Sequence, residues 1–189
     1  MCRLFIYLGP HQTLKNIIWL PEKSIMKQSY QETYTPFLNQ PNPRDHTINV
    51  DGFGIGWYQM SRKNPFLYRS SKSPWSDCNI LNISEYINSH LFMAHIRAIK
   101  PFSNSIVNEN NCHPFQYRNI LFMHNGDLKE TLSLKKYLYQ NVPNYLLNNI
   151  QGQTDSELVF CLFLSKLPNE YTNPEKNPNQ YHIKYYKTV

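Results

Sequence analysis

The second residue of the chain, Cys2, carries a thiol that can attack an amide carbonyl. Methionine aminopeptidase removes Met1 when the next side chain is small, and the mature chain would then begin with a thiol and a free α-amine on one carbon. An α-amine has a pKa of about 7.7–8.0, so it can act as a base near neutral pH. A thiol beside its own base suits acyl transfer from an amide. A buried structural cysteine is the alternative that this residue alone leaves open.

An Asn-Gly pair, Asn125 and Gly126, can supply the hydrogen-bond donors that a developing oxyanion needs. The pair follows a predicted strand, which fixes the direction of the backbone, and one such donor contributes about 3–4 kcal/mol in other enzymes. Asn-Gly is also typical of a tight hairpin turn. A helical pattern follows Gly126 instead of a second strand, which weakens the hairpin interpretation without excluding it.

Two charged residues match the two ends of a glutamine-like substrate. Arg97 ends the apolar run LFMAHIR and can bind a carboxylate through two parallel hydrogen bonds. Asp155 lies in the first turn of a predicted helix and can receive an ammonium group. The alternatives are a surface arginine at position 97 and a carboxylate that stabilises the helix dipole at position 155.

A histidine stands in the unusual run NCHPF at 111–115. His113 could be catalytic, a metal ligand or structural. Because only one cysteine is adjacent, a metal site is not favoured, and no metal is expected. Cys112 is interpreted as a packed thiol.

The composition argues against several other classes of function. The four cysteines show no CxxC pair and no zinc or disulfide spacing, so reduced thiols in a cytoplasmic protein are the simplest interpretation. The run FGIGWY at 53–58 lacks the GxGxxG spacing of a dinucleotide site, and no cofactor is expected. The net charge of +6 is scattered, which disfavours a nucleic-acid partner. No signal peptide is visible, and no apolar run reaches the roughly 18 residues of a membrane span.

Four apolar runs are predicted to be the strands that position these residues. The first begins at the N-terminus, is apolar on both alternating faces, and is therefore predicted to be buried on both. The runs are Cys2–Leu8, Phe53–Tyr58, Leu91–Arg97 and Ile120–His124. Between them we expect a loop over Tyr34–Val50, a polar stretch at 61–82, and a loop or short helix at 21–29.

A first helix is predicted after Gly126, with Leu128, Leu132 and Leu138 roughly on one face. This helix would follow the Asn-Gly pair directly.

A second helix is predicted over Thr154–Leu167, with a capping box in which Glu157 stands three residues after Thr154. It is apolar all round, so it must be covered on most sides. Pro168 ends it. A Pro/Asn-rich tract follows, and a last strand is predicted over Tyr181–Val189.

Six motifs occur in an order that resembles the class II glutamine amidotransferases of the N-terminal-nucleophile superfamily. They are MCR, DGFGIGWY, AHIRA, NCHPF, FMHNGDL and QTDSE. The similarity is greater to the stand-alone branch, which includes γ-glutamyl hydrolases that act on glutathione or on γ-glutamyl-cysteine compounds. The resemblance implies that Cys2 is the nucleophile and that Asn125 and Gly126 form the oxyanion hole. It also implies that Arg97 binds the substrate α-carboxylate and that Asp155 binds its amino group. His95 and His113 would shape the pocket.

The resemblance also implies an α+β fold, the four-layer αββα sandwich. We expect residues 2–167 to form the amidotransferase domain, with 168–189 as a linker and a terminal strand of the same domain. Members of the family usually continue further, so we expect the sandwich to be incomplete at its C-terminus. The run AIKPF at 98–102 departs from the small Ala/Ser-Thr-x-Gly element found there in the family, which leaves the substrate preference open.

The expected activity is hydrolysis of a γ-glutamyl amide, either glutamine or a γ-glutamyl peptide such as glutathione, through a thioester on Cys2. One alternative is a glutaminase subunit that delivers ammonia to a partner synthase. Another is a catalytically inactive regulatory subunit with the same fold. The expected partner is thus a small-molecule γ-glutamyl substrate, with a protein subunit in the alternative cases.

Overall fold

The computed structural model describes residues 2–30, 50–99 and 106–173. It contains two sheets, and the larger one has four antiparallel strands. The strands lie side by side in the order β1-β4-β2-β3. Their bounds are Arg3–Thr13 for β1, Phe53–Trp57 for β2, Phe66–Ser70 for β3 and Asn88–Ile96 for β4. The strands β2, β4 and the last strand of the second sheet confirm three of the four predicted strands, with ends that differ by one to three residues.

One face of this sheet carries a core that two short helices cover. Phe53 of β2 and Phe92 of β4 are fully buried on this face. Helix α1 (Leu14–Ile18) packs against it, and helix α2 (Cys78–Ile83) contributes the fully buried Ile80. Burial of side chains of this size contributes about 1.5–3 kcal/mol each.

The second half of the chain forms a hairpin covered by helices. Its strands pair in antiparallel register, and the helices share a second core with them. The elements are β5 (Phe115–Tyr117), β6 (Ile120–Phe122), α3 (Thr131–Asn141), α4 (Asn144–Leu147), α5 (Asp155–Lys166) and α6 (Asn169–Thr172).

Glycines let the two sheets approach each other closely. A Cβ at Gly54 would lie 2.2 Å from the carbonyl oxygen of His113, and one at Gly56 would lie 2.5 Å from a methyl group of Leu121. Because alternate residues of a strand share a face, both glycines of β2 open the same side of the sheet. The layers therefore run helix, sheet, sheet, helix, and the predicted α+β fold with its αββα layers is confirmed; both sheets are antiparallel.

Strand β1 is longer than the sequence predicted. It continues through Gly9 and Pro10 to Thr13, with an irregular register between Leu8 and Gln12. Proline is tolerated here because β1 lies at the edge of the sheet, where one side of the strand needs no ladder hydrogen bonds.

The prediction that β1 is buried on both faces is wrong. Leu4, Ile6 and Leu8 are 43%, 54% and 73% exposed. They lie on the face that turns toward the second sheet, because Leu4, His95 and Gly54 are cross-strand neighbours. The two strands of the second sheet leave this row of β1 uncovered.

Helix α3 begins at Thr131, later than predicted, and buries a different face. Leu128 precedes the helix and Leu132 is 83% exposed, so the predicted apolar face is wrong. Leu138 is buried and Leu134 packs against the second core instead. These two residues are four apart and therefore share one side of the helix.

Helix α5 confirms the predicted cap but not the whole capping box. Thr154 Oγ1 accepts a hydrogen bond from the N–H of Glu157 at 3.3 Å. The Glu157 carboxylate does not return to Thr154 but accepts from the N–H groups of Gln151 and Gly152, at 2.8 and 2.7 Å. The expectation that the helix is covered on most sides holds except at Phe163, which is 43% exposed.

Several short elements were not predicted, among them α1, α2, β3 and β5. Their runs of three to six residues are too short to show a period above the polar stretches around them. The predicted loop at 34–49 and the predicted strand Tyr181–Val189 lie outside the described residues. Within the described ranges, no helix is long and apolar enough to cross a bilayer.

Candidate active site

Four segments of the chain meet at one end of the two sheets. They are the start of β1, the end of β4, the residues after β6 and the start of α5. Hydrogen bonds connect Cys2 with Ala98, Cys2 with Asn125, and the loop after β6 with the first turn of α5. The structure thus brings together residues that are up to 153 positions apart in the sequence.

The Cys2 side chain lies against the backbone at the end of β4. Its Sγ is 3.3 Å from the Ala98 nitrogen, which donates to it, and 3.5 Å from the Ala98 carbonyl oxygen. Pairing of β1 with β4, in which Arg3 stands opposite Ile96, brings the two together. The thiol is half-buried, so a ligand can approach it from the open side.

Arg97 is buried, with 6% of its surface exposed. Its guanidinium donates to the carbonyl oxygen of Ile106 at 3.1 Å. The part of the chain that the structure describes offers it no carboxylate within ion-pair distance. A buried cation without a counter-ion is costly, so this guanidinium is suited to bind an anionic ligand group. The interpretation as a surface arginine is wrong.

Asn125 and Gly126 lie on an exposed loop beside Cys2. The Asn125 amide donates to the Cys2 carbonyl oxygen at 3.3 Å. A Cβ at Gly126 would lie 2.9 Å from Nε2 of His124, so the glycine lets the loop fold close to that ring. No second strand follows the pair, and the hairpin interpretation is wrong because α3 comes next.

Asp155 connects the start of α5 with this loop. One carboxylate oxygen accepts from the Leu128 N–H at 2.6 Å, and the other accepts from the Ser156 N–H at 2.8 Å. The Ser156 hydroxyl also bonds to Nδ1 of His124, at 2.9 Å. An ionised carboxylate has about four acceptor positions, so Asp155 keeps capacity for a cationic group.

The rings of His95 and His113 pack against each other between the two sheets, tilted by 47° with centroids 4.3 Å apart. Burial, and then the charge of Arg97, lower the pKa of His95 to about 4. Burial, and then the His95 ring, lower the pKa of His113 to about 2. Both rings are therefore neutral near pH 7, and both are buried. Their nitrogens make no hydrogen bond to Cys2 among the described contacts.

Cys112 is a packed thiol, as predicted. It is fully buried, and burial raises its pKa to about 11, which keeps it protonated. In the described ranges, no group of three or more His, Cys, Asp or Glu side chains could hold a metal ion.

Several groups at this site were not among the predicted residues. The Ala98 N–H is a backbone group and has no side-chain signal in the sequence. His124 adjoins the Asn-Gly pair, and its position could have suggested it. Asn111 joins two parts of the site, since its amide donates to Ile106 and accepts from the Gln153 N–H just before α5. Only the fold shows this connection.

Comparison with known proteins places residues 33–185 in the family of class-II glutamine amidotransferases. The chain is 33% identical to a probable glutamine amidotransferase, DUG3, of Saccharomyces cerevisiae over 186 residues, which cover 96% of this chain and 50% of that protein. It is 25% identical to a gamma-glutamyl-hercynylcysteine sulfoxide hydrolase of Mycolicibacterium smegmatis over 136 residues, 67% of this chain and 51% of the relative.

A solved structure of a glutamine aminotransferase class-II domain protein from Silicibacter pomeroyi is similar in fold, with a TM-score of 0.57 and 26% identity. The match covers 94% of this chain and 58% of that one. The chain therefore spans about half the length of the curated relatives that it matches.

Proposed function

Because this chain belongs to the class-II glutamine amidotransferase family, we propose that it hydrolyses a γ-glutamyl amide with Cys2 as its nucleophile. The family membership confirms the resemblance seen in the motifs. The substrate class is glutamine or a γ-glutamyl peptide such as glutathione. The name of the mycobacterial relative, a hydrolase of a γ-glutamyl compound, supports this choice of bond.

The observation that carries the proposal is a half-buried thiol at the start of β1 beside the end of β4, where Arg97 is buried with no carboxylate partner among the described residues. Cys2 Sγ contacts Ala98, the residue next to Arg97. A glutamyl group carries an α-carboxylate a few bonds away from its side-chain amide, so one ligand can reach both. The charge-assisted bond to Arg97 would contribute about 1.5–3 kcal/mol to its binding.

The proposed reaction proceeds in two steps. Cys2 Sγ attacks the γ-carbonyl carbon, a C–S bond forms, the C–N bond breaks, and the nitrogen leaves with the proton of the thiol. Water then adds to the thioester, the C–S bond breaks, glutamate leaves and the thiol regains a proton. The α-amine of Cys2, freed by removal of Met1, is the base that moves these protons.

Other candidate residues stabilise charges on the substrate. The Asn125 amide and the Gly126 N–H stabilise the oxyanion, because they lie on the loop that contacts Cys2. The Asp155 carboxylate receives the α-ammonium group, and its bonds to Leu128 and Ser156 hold it in place. His95 and His113 shape the wall of the pocket without exchanging protons.

There are two alternative functions, one in which the released nitrogen is transferred and one without turnover. As a glutaminase subunit, the protein would pass ammonia to a partner synthase, which the yeast relative's name as an amidotransferase supports. As an inactive regulatory subunit, it would keep the fold without turnover. We place the protein in the cytoplasm in each case.

The test combines intact mass with product release. Purified protein is incubated with the diazoketone analogue of glutamine, and glutamate release from glutamine and from glutathione is measured separately. We expect a starting mass that lacks one methionine, a single covalent adduct, and glutamate release, with Cys2→Ala abolishing the last two. A processed protein that forms no adduct and releases no glutamate would instead support the inactive subunit.

A further inference from the structure

Asp51 and Gly52, the two residues that precede β2, form hydrogen bonds with the segment that follows β4. The Asp51 N–H donates to the Arg97 carbonyl oxygen at 2.9 Å, and the Arg97 N–H donates to the Gly52 carbonyl oxygen at 2.8 Å. The Asp51 carboxylate then accepts from the N–H of Ile99 at 2.6 Å. One residue therefore holds the backbone on both sides of Ala98.

Ala98 is the residue whose peptide groups contact the nucleophile. Its N–H donates to Cys2 Sγ at 3.3 Å, and its carbonyl oxygen lies 3.5 Å from the same sulfur. A backbone donor stays at the sulfur only while the peptide keeps its orientation. Asp51 fixes the carbonyl of Arg97 and the N–H of Ile99, so it fixes the orientation of Ala98 between them.

Gly52 makes this arrangement possible. Its φ of +120° lies in a region that residues with a side chain rarely adopt. A Cβ there would also lie 2.5 Å from Cys112 Sγ and 2.8 Å from the Ser70 carbonyl oxygen. The backbone can therefore turn tightly at Gly52 and direct the Asp51 side chain toward the end of β4.

We propose that Asp51 is a positioning residue for the nucleophile. Its carboxylate holds the 97–99 segment so that the Ala98 N–H points at Cys2 Sγ while the Arg97 guanidinium faces the substrate carboxylate. The thiolate and the substrate are then aligned by one anchored piece of backbone. This inference rests on the proposed function, and Asp51 itself touches neither the substrate nor the sulfur.

Substitutions of Asp51 can separate the effect of side-chain length from the effect of charge. Asparagine has the same length as aspartate and keeps an oxygen that can accept from Ile99, but it carries no charge. Glutamate keeps the charge and is one methylene longer, so its oxygen would push the 97–99 segment away. A positioning role therefore predicts that Asp51→Asn resembles the wild type and that Asp51→Glu does not.

Two rates are measured for the full chain. The first is alkylation of Cys2 by iodoacetamide, resolved from the other three cysteines by peptide mass spectrometry. The second is glutamate release, separated into kcat and KM. We expect Asp51→Ala and Asp51→Glu to slow alkylation about tenfold, as for loss of a hydrogen bond to a charged group. We expect kcat to fall about 100-fold, the typical effect of misplacement by about 1 Å.

The matched control is Asp77→Ala. Asp77 also accepts bonds from backbone N–H groups, those of Asn79 and Ile80, but at the start of α2 and away from Cys2. This variant should lose stability while both rates stay at the wild-type values.

The outcomes separate the two proposals. If Asp51→Ala behaves like Asp77→Ala in both rates, Asp51 has only a structural role. If Asp51→Ala does not fold, the comparison of Asp51→Asn with Asp51→Glu tests the proposal. Slow alkylation and glutamate release in Asp51→Asn, with wild-type rates in Asp51→Glu, would contradict a positioning role. If the wild type releases no glutamate but alkylation still slows in Asp51→Ala, the proposed hydrolysis is wrong and the positioning of Cys2 is supported.

Discussion

The guanidinium of Arg97 is buried and donates to a backbone carbonyl oxygen, that of Ile106. Within the described residues it forms no ion pair with a carboxylate. Folding alone does not favour such a group, since an apolar side chain of similar volume would be no less stable. The proposed site for a substrate carboxylate would explain why an arginine stands there. The same reasoning separates Arg97 from Asp155, whose carboxylate already receives two backbone N–H groups.

The buried pair of His95 and His113 predicts how stability depends on pH. Both rings have a lowered pKa in the fold, so the unfolded chain takes up protons first as the pH falls below about 6.5. Their contribution is fully present above that value and is lost as the pH falls toward 4 for His95 and lower for His113. We expect a loss on the order of 3 kcal/mol between pH 7 and pH 5.

Urea unfolding at several pH values measures this loss. His113→Gln should flatten the profile by about half, because one of the two titrating rings is gone. His11→Gln serves as a control, since His11 is exposed, and it should leave the slope unchanged. Equal slopes in all three proteins would show that the buried rings do not control acid sensitivity.

At the scale of elements, β1 and α5 show how composition misleads about burial. Both runs are apolar on every side, and each nevertheless has exposed apolar side chains, Leu8 of β1 and Phe163 of α5 among them. A period in the sequence reports which residues share a face, but not whether another element covers that face. By contrast, all five residues of β2 are buried, because packed side chains or backbone cover both of its faces.

The same substitution at two isoleucines tests the burial of β1. Ile6 is 54% exposed on β1, and Ile96 is fully buried on β4. Threonine keeps the β-branched shape, so Ile6→Thr should change the free energy of unfolding by less than about 0.5 kcal/mol. Ile96→Thr buries a hydroxyl and loses apolar contact, and should cost about 2–4 kcal/mol. Urea midpoints give both values, and equal costs would restore the prediction of a strand buried on both faces.

At the scale of the whole molecule, the two sheets pack closely because glycines leave little side-chain volume between them. Glycines on β2 let the carbonyl of His113 and the side chain of Leu121 approach the backbone directly. The same approach brings the loop after β6 to the start of β1, where Asn125 contacts Cys2. The distance between the sheets therefore also sets the distance between Cys2 and the loop that carries Asn125 and Gly126.

Gly54→Ala should disturb this packing. The new Cβ would lie 2.2 Å from a backbone oxygen, which cannot move without shifting the second sheet. We expect a loss of about 3 kcal/mol in urea unfolding. Gly9→Ala is the matched control, because its Cβ would meet only the end of the Tyr7 side chain, which can rotate away. If the two variants unfolded at the same urea concentration, close contact between the sheets would not limit stability.

The sequence by itself determined the local features and the family. The cap at Thr154 and three of the strands follow from patterns within a few residues of one another, whereas the α+β class was implied by the resemblance in the motifs. The ordered motifs identified the family because several weak signals in a fixed order are specific together. The site residues were also named from their motifs, and their catalytic roles remain predictions.

Only the tertiary structure decided which residues are buried and which distant residues contact each other. It made Arg97 buried rather than exposed, left Leu4, Ile6 and Leu8 of β1 uncovered, and joined Asp51 to Cys2 through the backbone of Ala98. Such contacts depend on which elements pack together and on backbone groups that every residue carries. Side-chain types and their spacing contain little information about either, because both are settled only when distant segments meet in the fold.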